Sequence, residues 1–258
     1  MRETPNVTHD MIVGCLGELG VRDGDAVFVH SSLSRFGHVE GGAEAVCRAI
    51  LDAVGERGTV IMPAFTFGLK DVEDAVFDVA NAPSCVGRIS EVFRTGFATH
   101  RSRHITHSVS AAGADAEYFT ADHCDAPFDE HSSFRKLVDR NGLVLLLGVD
   151  YNRCTFFHAV ESALPVPYLG MVPRPQATLV LPDGSTAPAD CRVHKPTEQY
   201  DFNRAAGYLE GEDLVRQGTC GNSTLRAFRA APVFERVLAE LKKDPLCLVS
   251  LTIRRQSP

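Results

Sequence analysis

Residues 154–161 read CTFFHAVE, and two titratable groups, His158 and Glu161, stand three residues apart in an otherwise apolar run. On a helix, positions i and i+3 share a face, so the two side chains can touch. Thr155, His158 and Glu161 then form one polar line, covered by Phe156, Phe157, Ala159 and Val160. A carboxylate beside an imidazole orients it, stabilises its protonated form and raises its pKa. Such a histidine is a candidate general base near neutral pH. A purely structural His/Glu contact has the same spacing, so the surrounding elements have to separate the two readings.

The pair follows NGLVLLLGVD, residues 141–150, the strongest buried-strand signal in the chain. Upstream, DAVFVHSS (25–32) reads as a buried strand, GGAEAVCRAILDAV (41–54) as a helix, and GTVIMPAF (58–65) as the next strand. This unit predicts a parallel strand pair with a right-handed crossover. His158 is therefore expected just past the carboxyl end of a central strand, where α/β sheets build their sites. A helix capped by Thr8 opens the chain, GRISEVFRT (87–95) reads as a short helix, and HSVSAAG as a short strand or turn. APVFERVLAELKK (231–243) is an amphipathic helix and LCLVSLTI a closing strand. From residue 165, six prolines up to Pro188 break up helices, and QATLVLPDGSTAP predicts a hairpin turning at Pro182-Asp183-Gly184. The expectation is one α/β domain over 1–258, three-layer α/β/α with a mostly parallel central sheet and an irregular β-rich insertion.

Composition narrows the function classes. The 258 residues are 44% hydrophobic and 23% charged, ordinary for a globular chain. No apolar run reaches the roughly 18 residues of a membrane span, and the charged N-terminus does not read as a secretory signal. The eight cysteines are scattered singly without C-x-x-C, as expected for reduced thiols in a cytoplasm, with Cys154 as a buried one. A formal charge of −7 argues against a nucleic-acid surface. Acidic residues crowd 113–131 and 197–213. If they border a cleft they favour a cationic substrate, with Asp150, Asp201 and some of Glu198, Glu210 and Glu212 expected on that side. His100, His104 and His107 lie close together, but Arg101 and Arg103 would repel a cation, so no metal is expected. P-loop, dinucleotide and G-x-S-x-G signatures are absent. The glycines of RQGTCG (216–221) are in the wrong register for a pyrophosphate loop.

Taken in order, VFVHSSLSRFG, EGGAEAV, GTVIMPAFTF, RSRHITHSVSAAG and GLVLLLGVDYNRCTFFHAVE resemble the aminoglycoside 3-N-acetyltransferases, from about residue 8 to about 245. The resemblance implies a three-layer enzyme that uses acetyl-CoA and no metal. It makes His158, the histidine of T-x-x-H-x-x-E, the general base, with Glu161 near it. It assigns the CoA arm to the HSSLS turn, His30, Ser31, Ser32, Leu33 and Ser34, with Ser108 alongside and Arg35 or Arg101 on the phosphates. Asp150, Glu198 and Asp201 are expected on the amine. The implied partners are acetyl-CoA and a small-molecule primary amine, an aminoglycoside or another natural product, with a homodimer left open. Two other readings of the same fold are a non-catalytic CoA-binding homologue and a thioester hydrolase.

Overall fold

The computed structural model describes residues 6–250. Its frame is a seven-stranded sheet in the order Arg216–Cys220, Ser223–Arg229, Leu143–Leu147, Ala26–Ser31, Thr59–Pro63, Val109–Gly113, His100–Arg101. The predicted strands are present, trimmed at their ends, and Ala26–Ser31 pairs parallel with Thr59–Pro63 across the helix Gly42–Val54.

Alternation along the strands builds a core on each sheet face. Val27, Val29, Leu143, Leu145 and Leu147 join the cluster that contains Ile12 and Leu16 of the helix His9–Glu18 and Val46, Ala49 and Ile50 of Gly42–Val54. Phe28, Val144 and Leu146 face the other way, with Phe134 of Ser133–Asp139, Phe156 and Phe157 of Phe156–Glu161, and Val233 and Val237 of Ala230–Lys243. Helices therefore cover both faces.

The sheet is mixed rather than mostly parallel. Leu143–Leu147, Ala26–Ser31 and Thr59–Pro63 run parallel to one another, and the four remaining pairings are antiparallel. The cause on one side is a hairpin. Cys220 pairs with Ser223, leaving Gly221-Asn222 as a two-residue loop, with Gly221 at φ 56° as a II′ turn requires. Antiparallel neighbours need no crossover helix, so they add to a parallel centre with little chain.

The β-rich insertion forms two small sheets. Thr178–Val180 and Thr186–Pro188 make the expected hairpin, and Val76–Asp78 pairs parallel with the first of them. Met171–Arg174 pairs antiparallel with Cys191–His194. The closing strand expected from LCLVSLTI is reduced to a single bridge between Val249 and Tyr200, flanked by Ser250 N–H to the Gln199 carbonyl and Asp201 N–H to the Leu248 carbonyl. Leu251–Ile253 of that stretch lie outside the described residues. The bridge fixes the backbone around Tyr200, which borders the site.

Candidate active site

A cleft of about 830 Å³ opens at the carboxyl ends of the parallel strands, where α/β sheets place ligands. His30, Ser31, Ser32 and Arg35 line one wall. Asp150, Arg153 and Thr155 come from the segment after Leu143–Leu147, and Tyr200 and Arg226 complete it. A groove along Ser31–Ser34, Gly37, Gly87 and Arg88 continues from it.

In the Ser-rich turn the Ser32 and Ser34 hydroxyls lie 3.4 Å apart. Ser32 stands at the N-cap of the short turn Leu33–Arg35 yet makes no side-chain capping bond. The Ser31 hydroxyl and His30 Nε2 are buried with no hydrogen-bond partner. Buried polar atoms are rarely left so, and each calls for a partner, a water or a ligand.

Gly148 lets the two walls meet. Its φ is 74°, and a Cβ there would lie 2.5 Å from Ser223 Oγ and 2.7 Å from Arg35 Cβ. A Gly148→Ala chain should lose about 2–3 kcal/mol from strain and displaced neighbours. Urea denaturation reads this directly, and an unchanged midpoint would show that the turn relaxes freely.

The histidine pair forms as its spacing predicts. Phe156–Glu161 is a helix, and His158 Nδ1 lies 2.6 Å from Glu161 Oε2. The Tyr168 hydroxyl donates to Glu161 Oε1 at 2.9 Å. Phe128 stacks on the His158 ring at 4.9 Å, and Tyr200, Phe202 and His194 meet it edge-on at 4.9, 4.8 and 4.4 Å. His158 thus sits behind Tyr200, one ring from the cleft wall. Glu161 is fully buried and His158 nearly so.

Burial reverses the pKa direction expected from the sequence. It pushes His158 below its ordinary value and Glu161 above its own, because a low-dielectric surround disfavours both charged forms. With Glu161 ionised, a neutral His158 donates Nδ1–H to it and keeps Nε2 as a free lone pair, the form a general base needs.

Several predicted site residues lie elsewhere. The Arg101 guanidinium donates to the carbonyls of Ala64, Val79 and Ala82 and to Ser108 Oγ, and stacks on Phe77. Ser108 donates to the Ala64 carbonyl. Both are committed to these carbonyls and neither lines the cleft. Arg35 does, with Arg153 and Arg226, so the cleft carries three arginines against one carboxylate, Asp150. Asp150 also caps Tyr151–Arg153 by accepting from Asn152 N–H. Glu210 is bonded to the Tyr151 hydroxyl and Arg226, and Glu212 to Arg236, which removes both from the acidic set. Glu198 and Asp201 flank Tyr200 without lining the cleft. Tyr168, His194 and Tyr200 escape sequence reasoning, since they reach His158 and Glu161 only through the tertiary fold. Among the described residues no group of three His, Cys, Asp or Glu side chains is placed to hold a metal, and no helix is long and apolar enough to cross a membrane.

Residues 28–242 match the family model described as aminoglycoside 3-N-acetyltransferase. The chain belongs to the aminoglycoside 3-N-acetyltransferase family. It is 32% identical over 249 residues to aminoglycoside N(3)-acetyltransferase VII of Streptomyces paromomycinus, covering 89% of this chain and 83% of that one. Among solved members, AAC-IIIb in a binary complex with CoASH superposes with a TM-score of 0.80 at 27% identity, over 93% of this chain and 97% of that one. A histidine-to-alanine mutant of AAC(3)-IVa in complex with a gentamicin also gives 0.80, at 28% identity over 96% and 93%. As a member of this acetyltransferase family, the chain is an acyltransferase that uses acetyl-CoA and acts on small molecules.

Proposed function

We propose that this chain moves the acetyl group of acetyl-CoA directly onto a primary amine of an aminoglycoside or a related amine-bearing natural product, with His158 as general base. The observation that carries the reading is the buried His158–Glu161 pair, 2.6 Å apart, one ring behind a cleft whose opposite wall holds unpartnered Ser31 and His30 atoms. An amine arrives at neutral pH as an ammonium and must shed one proton to solvent before it can attack. As its nitrogen bonds to the thioester carbon and the C–S bond breaks, the second proton passes to His158 Nε2 and on to the departing sulfur. The products are an amide and the thiol of CoA.

Acetyl-CoA is consumed here as a substrate, and the wall residues suit it. The extended pantetheine chain has two amides, which match the unpartnered Ser31 hydroxyl and the Ser32 and Ser34 hydroxyls, held to each other only by a 3.4 Å contact. Guanidinium is the preferred phosphate partner, and Arg35, with Arg153 behind it, takes that role once Arg101 is committed elsewhere. An Arg35→Ala enzyme should show an acetyl-CoA KM raised about tenfold and less dependent on salt, with the amine KM little changed, as for one exposed phosphate contact. Equal rises in both KM values would move the phosphates away from Arg35. Asp150, Glu198 and Asp201 are the carboxylates assigned to the cationic amine; neither Glu198 nor Asp201 forms an ion pair among the described residues. A cytoplasmic location fits the use of acetyl-CoA.

Cys154 does not fit an acyl-enzyme route. Cys154 is fully buried and burial raises its pKa steeply, so its thiolate is scarce. Cys85 borders the cleft as a free, exposed thiol. The test mixes enzyme with acetyl-CoA and follows free thiol with and without aminoglycosides, with intact-mass spectrometry of the protein. Thiol release should require the amine, the amine should gain one acetyl group, and the protein should gain none. Release without amine would indicate a thioester hydrolase, and no release with any amine a binding homologue.

A further inference from the structure

The best-placed unexplained group is His194. It ends the strand Cys191–His194, in register with Met171. Its ring stands edge-on to His158, centroids 4.4 Å apart and planes at 63°, and edge-on to Phe128 at 5.2 Å. It is 5% exposed. One ring nitrogen is hydrogen-bonded to the Leu169 carbonyl, while Nε2 is buried with no partner. A carbonyl only accepts, so the bonded nitrogen is Nδ1 and carries the proton. In the neutral ring Nε2 is then a bare lone pair. Burial, together with the nearby His158 and Lys70, lowers the pKa of His194 and keeps the ring neutral.

An orphaned buried acceptor is destabilising. No packing reason requires it, because a leucine would fill the volume without an unmet lone pair. The neighbour is the informative part. With Glu161 ionised, His158 likewise presents an unprotonated Nε2, since its Nδ1 then donates to that carboxylate. Two imidazoles from different elements, both neutral, thus bring acceptors to one locality. An attacking amine offers more than one N–H, and a single acceptor leaves its nitrogen free to rotate.

We propose that Nε2 of His194 accepts a hydrogen bond from the acceptor amine while His158 takes the transferred proton, so that two imidazoles orient one nitrogen. The second contact aims the lone pair at the thioester carbon, and orientation of this kind is worth orders of magnitude in rate. This inference rests on the acetyl-transfer reading for its substrate, but the state of His194 does not.

The experiment has two arms. In the first, steady-state kinetics with gentamicin and acetyl-CoA compare wild type, His194→Leu and His194→Gln, each with a thermal melt. The leucine variant should lose about 10–100-fold in kcat/KM for gentamicin, with the acetyl-CoA KM within about twofold. Glutamine, whose carbonyl reaches about where Nε2 lies, should recover most of the loss. A leucine variant as active as wild type, parallel losses for both substrates, or a glutamine variant no better than leucine at equal stability would overturn the proposal. The second arm measures imidazole ¹⁵N chemical shifts of the wild-type protein without substrate. His194 should show a protonated Nδ1 and an unprotonated Nε2, and a proton on Nε2 would overturn the proposal whichever amine is the substrate. Wild-type enzyme inactive on every aminoglycoside would instead defeat the acetyl-transfer reading, with the ¹⁵N result still deciding His194.

Discussion

Replacing His158 with alanine should slow turnover by about 10²–10⁴-fold, the span of a lost general base, while acetyl-CoA still binds. The split follows from the geometry. The base is held from behind by Glu161 and Tyr168 and clamped by Phe128 and Phe202. The Ser31–Arg35 wall is a separate element at the end of Ala26–Ser31. Removing the imidazole therefore removes proton transfer and leaves the cofactor track standing. Glu161→Gln is the sharper companion. Tyr168 already donates to one oxygen of Glu161, so a glutamine would turn its carbonyl to Tyr168 and its NH₂ to His158 Nδ1. That forces the proton onto Nε2, the wrong tautomer for a base, and activity should fall at least about tenfold without loss of fold. Turnover near wild type in a folded His158→Ala enzyme would remove His158 from the reaction.

Acidification should unfold this protein at a pH where most globular chains are still secure. Six of its ten histidines, His30, His104, His107, His123, His158 and His194, are buried with pKa values pushed down by burial, to about 3, 4, 3 and 2 for His30, His104, His158 and His194. Unfolded, each takes a proton near pH 6.5; folded, none does until much lower. Stability is therefore complete above about pH 6.5 and is lost as pH falls, at about 1.4 kcal/mol per pH unit for each group. Glu161 acts in the opposite sense. Burial raises it to about 8, so the folded state binds its proton first and gains as pH drops through that range. One group offsets only part of six, and a net loss on the order of 5 kcal/mol is expected between pH 7.5 and 5.5. That rivals the whole stability of a typical domain, about 5–15 kcal/mol. Urea midpoints at the two pH values test it, and a midpoint that holds to pH 5.5 would mean that the folded state can protonate these rings in place.

The central strands are legible because they are buried on both faces, and the hairpin of Thr178–Val180 with Thr186–Pro188 because of its Pro-Asp-Gly turn. VFV and LVLLL need no partner's identity to be recognised, because continuous apolar character at strand length is itself the signal. Ser223–Arg229 carries no such signal. Its inward Leu225 and Ala227 alternate with threonine and arginine, and its pairing depends on a Gly-Asn turn whose meaning is tertiary. The His158–Glu161 contact is legible because helix geometry alone brings i and i+3 together. Its chemistry is not, since the pKa direction is set by Phe128, Tyr200 and Phe202, which no local spacing announces. Arg101 misleads for a similar reason. A guanidinium beside a histidine-rich stretch looks available for phosphate until three carbonyls are found around it.

The pairing of Phe28 with Val144 at the centre of the sheet also constrains how the chain can be made. The two residues are separated by more than a hundred others, so the strand Ala26–Ser31 leaves the ribosome long before its neighbour exists. At about 5–20 residues per second the wait is roughly 6–23 s. Thr59–Pro63 emerges sooner and is the only parallel partner within reach during that interval. Until Leu143–Leu147 arrives, one edge of a strand built of Val27, Phe28 and Val29 stands open, and open apolar edges recruit other chains. The same centre that gives the cleft its floor leaves the nascent chain with an open apolar edge until that last neighbour is made.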